Sequence, residues 1–242
     1  MNIYEKYNLD RLHEFNLVGR IKKIGLFNKG YQIHPQTQLI SRAIKGDIET
    51  PWIHIKVDPV QHCAMYLIIF DALGFIPARC MECWKVVVKP RTVEELILLY
   101  ERMKTMGYYS KCGIEERDYV KGNYGAYFYT QSLEEGLERK KEVRAAVDSV
   151  VGENVEVYLK RYCTEFEIKT GSSRKYERPP NADKWEAIFW DNFALDPEFS
   201  PQSEAVKTDI KFRWMLFAAA RDDPTIELFN NGNPVNTAIE TY

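Results

Sequence analysis

The 242-residue sequence predicts an α+β protein built around a central βαββαβ sheet. Two patterns carry this expectation. Six elements alternate in that order between Trp84 and Ile168, and both helices among them open on a capping box and close on glycine. Composition agrees: with 45% hydrophobic and 28% charged residues, the chain can bury a sizeable core without disulfides.

The first strand is Trp84–Lys89, β-branched and stopped by Pro90. An amphipathic helix follows from Thr92 to Met106, with Thr92 and Glu95 as its capping box and Gly107 as its terminator. Tyr108–Glu116 reads as the second strand, Arg117–Asn123 as a polar connection and Tyr124–Thr130 as the third strand. Ser132 and Glu135 open the second helix, which runs to Val151 before Gly152. A long fourth strand is expected over Val155–Ile168. Right-handed crossovers then give the ferredoxin-like plan, with strand order 4-1-3-2.

The flanks are read as additions to this core at 80–170. Residues 1–79 form an N-terminal α/β extension: a short helix at Leu9–Phe15, a strand at Leu17–Ile24, and a strand at Trp52–Val57 whose residues alternate. A buried helix opens at Asp58-Pro59 and ends before Gly74. Residues 171–183 are a polar linker, and 184–242 a helical region with an irregular tail. In that region Ser203–Arg221 is a helix with Ile210, Trp214 and Phe217 as its core stripe.

A formal net charge of −2 gives no global pull toward nucleic acid or membrane, so any nucleic-acid site needs locally clustered basic residues. No apolar run is long enough for a membrane span and no signal-peptide pattern is present, so no membrane partner and a reducing cytoplasm are expected. The odd count of five cysteines fits thiols better than a secreted disulfide framework.

Cys80-Met-Glu-Cys83 has the spacing of a metal knuckle. In the ferredoxin-like plan, the starts of strands one and two and the end of strand four share one edge of the sheet. This brings Cys80 and Cys83 toward Cys163, and Cys112 within about 10 Å. Pairing Val87 with Leu159 would set Cys83 opposite Cys163, whereas a slip of one residue would turn them to different faces. The expected metal set is Cys80, Cys83, Cys163 and Cys112, with His62 and Cys63 as rival ligands. Zinc is preferred to an iron–sulfur cluster, and five reduced structural thiols are the alternative.

Pro77-Ala-Arg-Cys80-Met-Glu-Cys83 with His62 also resembles the pattern of zinc nucleobase deaminases. It departs from that pattern by lacking the glutamate after the histidine, by two residues between proline and cysteine, and by a strand where a helix should follow. Other enzyme signatures are absent, so no catalytic residue is assigned.

Helices cover one face of such a sheet and leave the other for a ligand. On strand one, Trp84, Val86 and Val88 face the helices and Lys85 and Lys89 face away. On strand four, Tyr158, Lys160 and Tyr162 face away. Strand three offers Tyr127 with Tyr129, or Tyr124 with Phe128. Lysines interleaved with tyrosines suit base stacking and phosphate binding. Lys121-Gly-Asn-Tyr124-Gly-Ala-Tyr-Phe-Tyr129 partly resembles the third-strand motif of RNA-recognition domains, with one extra residue and with Ala126 at an aromatic position.

The expected nucleic-acid or nucleotide site is therefore Lys85, Lys89, Tyr127, Tyr129, Tyr158, Lys160 and Tyr162. In the competing arrangement the C-terminal helices, with Trp185, Phe189, Trp190 and Trp214, cover this face and make its tyrosines core. The function expected is a metal-stabilised binding protein for single-stranded nucleic acid or a nucleotide. The alternatives are a protein-interaction or inhibitor protein and a zinc-dependent nucleobase-modifying enzyme.

Overall fold

The computed structural model describes residues 31–33, 36–37, 39–42, 50–57, 63–193 and 202–229. The helix expected at Leu9–Phe15, the strand at Leu17–Ile24, the Asp58-Pro59 helix start and His62 lie outside them. The chain divides into two compact units. One comprises Met1–Asp47, Pro59–Met81 and Cys163–Glu198, and the other Ile48–Asp58, Glu82–Tyr162 and Phe199–Tyr242.

The second unit holds the sheet. In chain order its strands are β3 (Trp52–Lys56), β4 (Trp84–Lys89), β5 (Ser110–Ile114), β6 (Tyr124–Thr130) and β7 (Glu156–Arg161). They pair antiparallel in the order β3-β5-β6-β4-β7. The sheet has five strands where four are expected, because Trp52–Lys56 joins it at the β5 edge instead of standing in a separate extension.

Three helices lie on one face. The helix Val93–Met106 starts as its sequence dictates, since the Glu95 amide donates to Thr92 Oγ1 at 3.2 Å and Gly107 ends it at φ 71°. Glu95 completes its half of the cap on the Arg91 amide at 2.6 Å. The helix Leu133–Val150 repeats the device with Ser132, Glu135 and the Gln131 amide. The third, Glu204–Ala220, packs Ile210, Trp214 and Ala218 into the same core as Val86, Val88, Leu96, Phe128 and Val147. Trp214 therefore belongs to the helix-covered face, which removes its helix from the competing arrangement in which the C-terminal helices cover the other one.

Within the first unit, β1 (Tyr31–Ile33) and β2 (Ile40–Arg42) pair as a hairpin that the sequence reading does not anticipate. Its described helices are α1 (Cys63–Leu73), α2 (Ala78–Met81), α5 (Thr164–Thr170) and α6 (Ala182–Trp190); the helices described above for the second unit are accordingly α3, α4 and α7. Aromatic pairs fill this core: Phe70 on Phe166 at 4.8 Å, Tyr66 on Trp190 at 5.8 Å and Phe189 stacked on Phe193 at 4.0 Å. The expected polar linker is anchored here. Arg178 donates to the Ile76 carbonyl and to Glu186, and Tyr176 accepts from the Ile76 amide.

The fourth strand is shorter than expected. β7 stops at Arg161, Tyr162 turns at φ 34°, and Cys163 stands at the N-cap of α5. The remainder of the expected strand, residues 164–168, is helical, with Phe166 buried and Ile168 59% exposed. No described helix is long and apolar enough to cross a membrane.

Candidate nucleotide-binding face

Register settles which side chains share a face, because residues directly opposite one another in adjacent strands point the same way. Val87 pairs with Tyr127 on one side and Tyr158 on the other. Tyr127 pairs with Lys111, and Lys111 with His54. Lys85 stands between Tyr129 and Lys160, and Lys89 pairs with Glu156. Six of the seven expected residues, Lys85, Lys89, Tyr127, Tyr129, Tyr158 and Lys160, thus line the face opposite α3, α4 and α7. The choice left open for strand three falls on Tyr127 with Tyr129, since Tyr124 and Phe128 sit in the helix-side core.

The face is more closed than a stacking platform in solvent. Lys85, Lys89, Tyr127 and Val87 are buried, and Tyr129, Tyr158 and Lys160 are half-buried. Tyr162 is fully buried just beyond β7, so it is not an outward-facing platform residue.

Sequence reasoning missed several members. Trp52 enters from the added strand, its ring 5.3 Å from Tyr127. Lys111 Nζ lies 4.8 Å from the Trp52 ring centre and 5.8 Å from that of Tyr127, and Lys85 Nζ lies 5.7 Å from Tyr127. Each is within cation–π reach. The alternation of Trp52-Ile-His-Ile-Lys56 already sets Trp52 and His54 on one side. What it lacks is the pairing of this strand with β5.

Two glycines let chain and rings close in at the middle. Gly125 stands opposite Gly113, which stands opposite Trp52. On the other side the β4–β6 register ends at Val88 opposite Ala126, one residue short of Lys89 and Gly125. A Cβ on Gly125 would stand 3.4 Å from the Trp52 indole and 3.5 Å from the Tyr127 hydroxyl. That hydroxyl reaches Glu115 at 3.5 Å, and Glu115 is held by Arg117 at 2.6 and 2.7 Å.

Electrostatics follow burial. Desolvation, together with the neighbouring Glu115, pushes the Tyr127 phenol up to about 12 against the pull of Lys85 and Arg117. Burial, then the charge of Lys111, lowers His54 to about 4, so its imidazole is neutral at pH 7. Burial holds the Lys89 amine below the ordinary lysine range, and its Nζ has no hydrogen-bond partner among the described residues.

The β4–β7 register differs from the pairing of Val87 with Leu159: Val87 faces Tyr158, and Leu159 faces Val86. Just before β4 the Cys83 carbonyl accepts from the Tyr162 amide at 2.8 Å. Cys80 lies in α2, and Cys112 is fully buried in the helix-side core, where desolvation raises its thiol and opposes the thiolate a metal requires. Among the described residues no group of three or more His, Cys, Asp or Glu is placed to hold a metal ion.

No protein-family model, curated protein or solved structure matches the chain.

Proposed function

We propose that the protein binds an anionic ligand carrying a flat ring, a nucleotide or a short stretch of single-stranded nucleic acid, on the lysine- and aromatic-lined face of a ferredoxin-like sheet. The observation carrying this reading is the register that aligns Lys85, Lys89, Tyr127, Tyr129, Tyr158 and Lys160, with Trp52 and Lys111 added from the edge. Aromatic rings offer stacking surface to any base, and lysines offer phosphate neutralisation. Burial of Lys85, Lys89 and Tyr127 favours a nucleotide-sized occupant over a long strand lying across the surface. The ferredoxin-like reading is supported by β7-β4-β6-β5 standing consecutively within the five strands, with α3 and α4 in the two crossover positions.

Titration of the full chain with a fluorescent single-stranded oligonucleotide and with mononucleotides, at low and at moderate salt, tests the reading. Binding should weaken with salt, by a log–log slope of about 0.7 for each phosphate engaged on a single strand. Flat titrations at low salt for every ligand would refute it.

A further inference from the structure

Resting on this binding reading, we propose that Lys89 is the phosphate-holding residue of the face: its ammonium takes the phosphate of a nucleotide whose base lies against Trp52 and Tyr127.

The argument starts from charge. Lys89 is 7% exposed, and its Nζ is buried without a hydrogen-bond partner among the described residues. Four charged groups act on it. Glu115 and Arg117 come from the β5 end and the loop after it, Lys121 from the same loop, and Glu156 from β7. Glu115 and Glu156 favour its charge and Arg117 and Lys121 oppose it, and each carboxylate is shared with another cation: Glu115 is bound by Arg117 at 2.6 Å and Glu156 lies 3.7 Å from Lys121. Neither carboxylate hydrogen-bonds the Lys89 ammonium, which has no such partner among the described residues. A buried ammonium with no hydrogen-bonded counter-ion is costly, and a protein relieves the cost by deprotonating it or by supplying an anion.

Placement then selects the anion's chemistry. The Lys89 stem runs past Gly122, at whose Cβ position its Cδ would be 3.7 Å away, so the amine is directed toward the loop end of the sheet. The β4–β6 register runs to Val88 opposite Ala126, which leaves Lys89 at the β4 end beside the Gly125 end of β6, where the Trp52 indole and the Tyr127 hydroxyl close on Gly125. A cation and a pair of aromatic groups therefore share this end of the sheet face. A nucleoside monophosphate presents a planar base and a phosphate as one molecule, which matches this pairing of partners.

Calorimetric titration of the full chain with AMP and with adenosine, for the wild type and Lys89→Met at pH 7 to 9, tests the assignment. The wild type should prefer AMP over adenosine by about tenfold or more, the size of a lost charge-assisted hydrogen bond. Lys89→Met should lose that preference. Wild-type AMP binding should weaken as pH rises through the titration of Lys89. The ratio of AMP to adenosine affinity is read on the wild type alone, so the test stands even if the variant does not fold. A retained AMP preference in a folded Lys89→Met, or a wild type that binds adenosine as tightly as AMP, overturns the assignment and leaves the binding reading intact. A wild type that binds neither AMP, adenosine nor oligonucleotide overturns both.

Discussion

Gly113 has no room for a side chain, because the Pro51 carbonyl oxygen occupies the place of its Cβ and Trp214 Nε1 donates to that same oxygen at 2.8 Å. Gly113→Ala must displace backbone and loosen the indole together. It should cost about 1–3 kcal/mol, as overpacking does, and lower the melting temperature by about 2–4 °C per kcal/mol in a chain of this size. An unchanged melting temperature would refute the contact. Lys89 acts in the opposite sense. Its folded-state pKa is depressed, so the unfolded chain binds the extra proton and stability is reduced while pH lies below the folded value. That penalty lifts as pH rises from the folded value toward the ordinary lysine range. Thermal melts of ligand-free protein should therefore show wild type gaining on Lys89→Met between pH 7 and pH 10. A constant difference would mean that the fold does not depress the Lys89 pKa.

At the scale of elements, Asp223 ties three pieces of chain together. Its Oδ2 accepts from the Val93 amide at 2.7 Å, at the start of α3, and from the Tyr124 hydroxyl at 2.6 Å, on β6. Oδ1 accepts from the Thr225 amide and hydroxyl in the 3₁₀ turn Pro224–Phe229. Burial pushes this carboxyl up, but the bonds from Tyr124, Thr225 and Val93 outweigh it and hold the pKa below the ordinary range. The stability it contributes is present above the unfolded pKa and is lost as pH falls through the folded one. Asp223→Asn should cost about 1–3 kcal/mol at pH 7, and the gap to wild type should close in acid. Chemical denaturation at pH 7, 4 and 3 measures this, and a gap that stays constant with pH would rule out a charged cap.

At the scale of the molecule, α7 is part of the sheet's own core. Trp214 is fully buried, meets Tyr100 edge-on at 6.1 Å and lies with Ile210 and Ala218 among the residues of β4, β6 and α3. A chain ending at residue 201 exposes that face of the sheet. It should lose cooperative unfolding, and Trp214→Ala alone should cost about 3–5 kcal/mol. Circular dichroism melts of both check this; a sharp transition in the truncated chain would make α7 an accessory.

The local elements of the core are legible in the sequence because their causes are local. Thr92, Ser132 and Ser203 each cap the helix that follows them, Gly107 ends α3, and Trp84–Lys89 and Tyr124–Thr130 are strands as read. Alternation likewise placed Lys85, Lys89, Tyr158 and Lys160 on one side. Other features depend on pairing between distant segments, which periodicity does not encode. These are the fifth strand at the β5 edge, the position of Trp214 on the helix side, and the choice of Tyr127 over Tyr124 for the second face. The register of β4 on β7 likewise sets Val87 opposite Tyr158 and not Leu159, a choice of one residue that periodicity leaves open. By itself the sequence determined which segments are helices and strands and which residues alternate along them. Tertiary structure alone decided which of those alternating rows meet, and so made Tyr127, Gly125 and Trp52 neighbours.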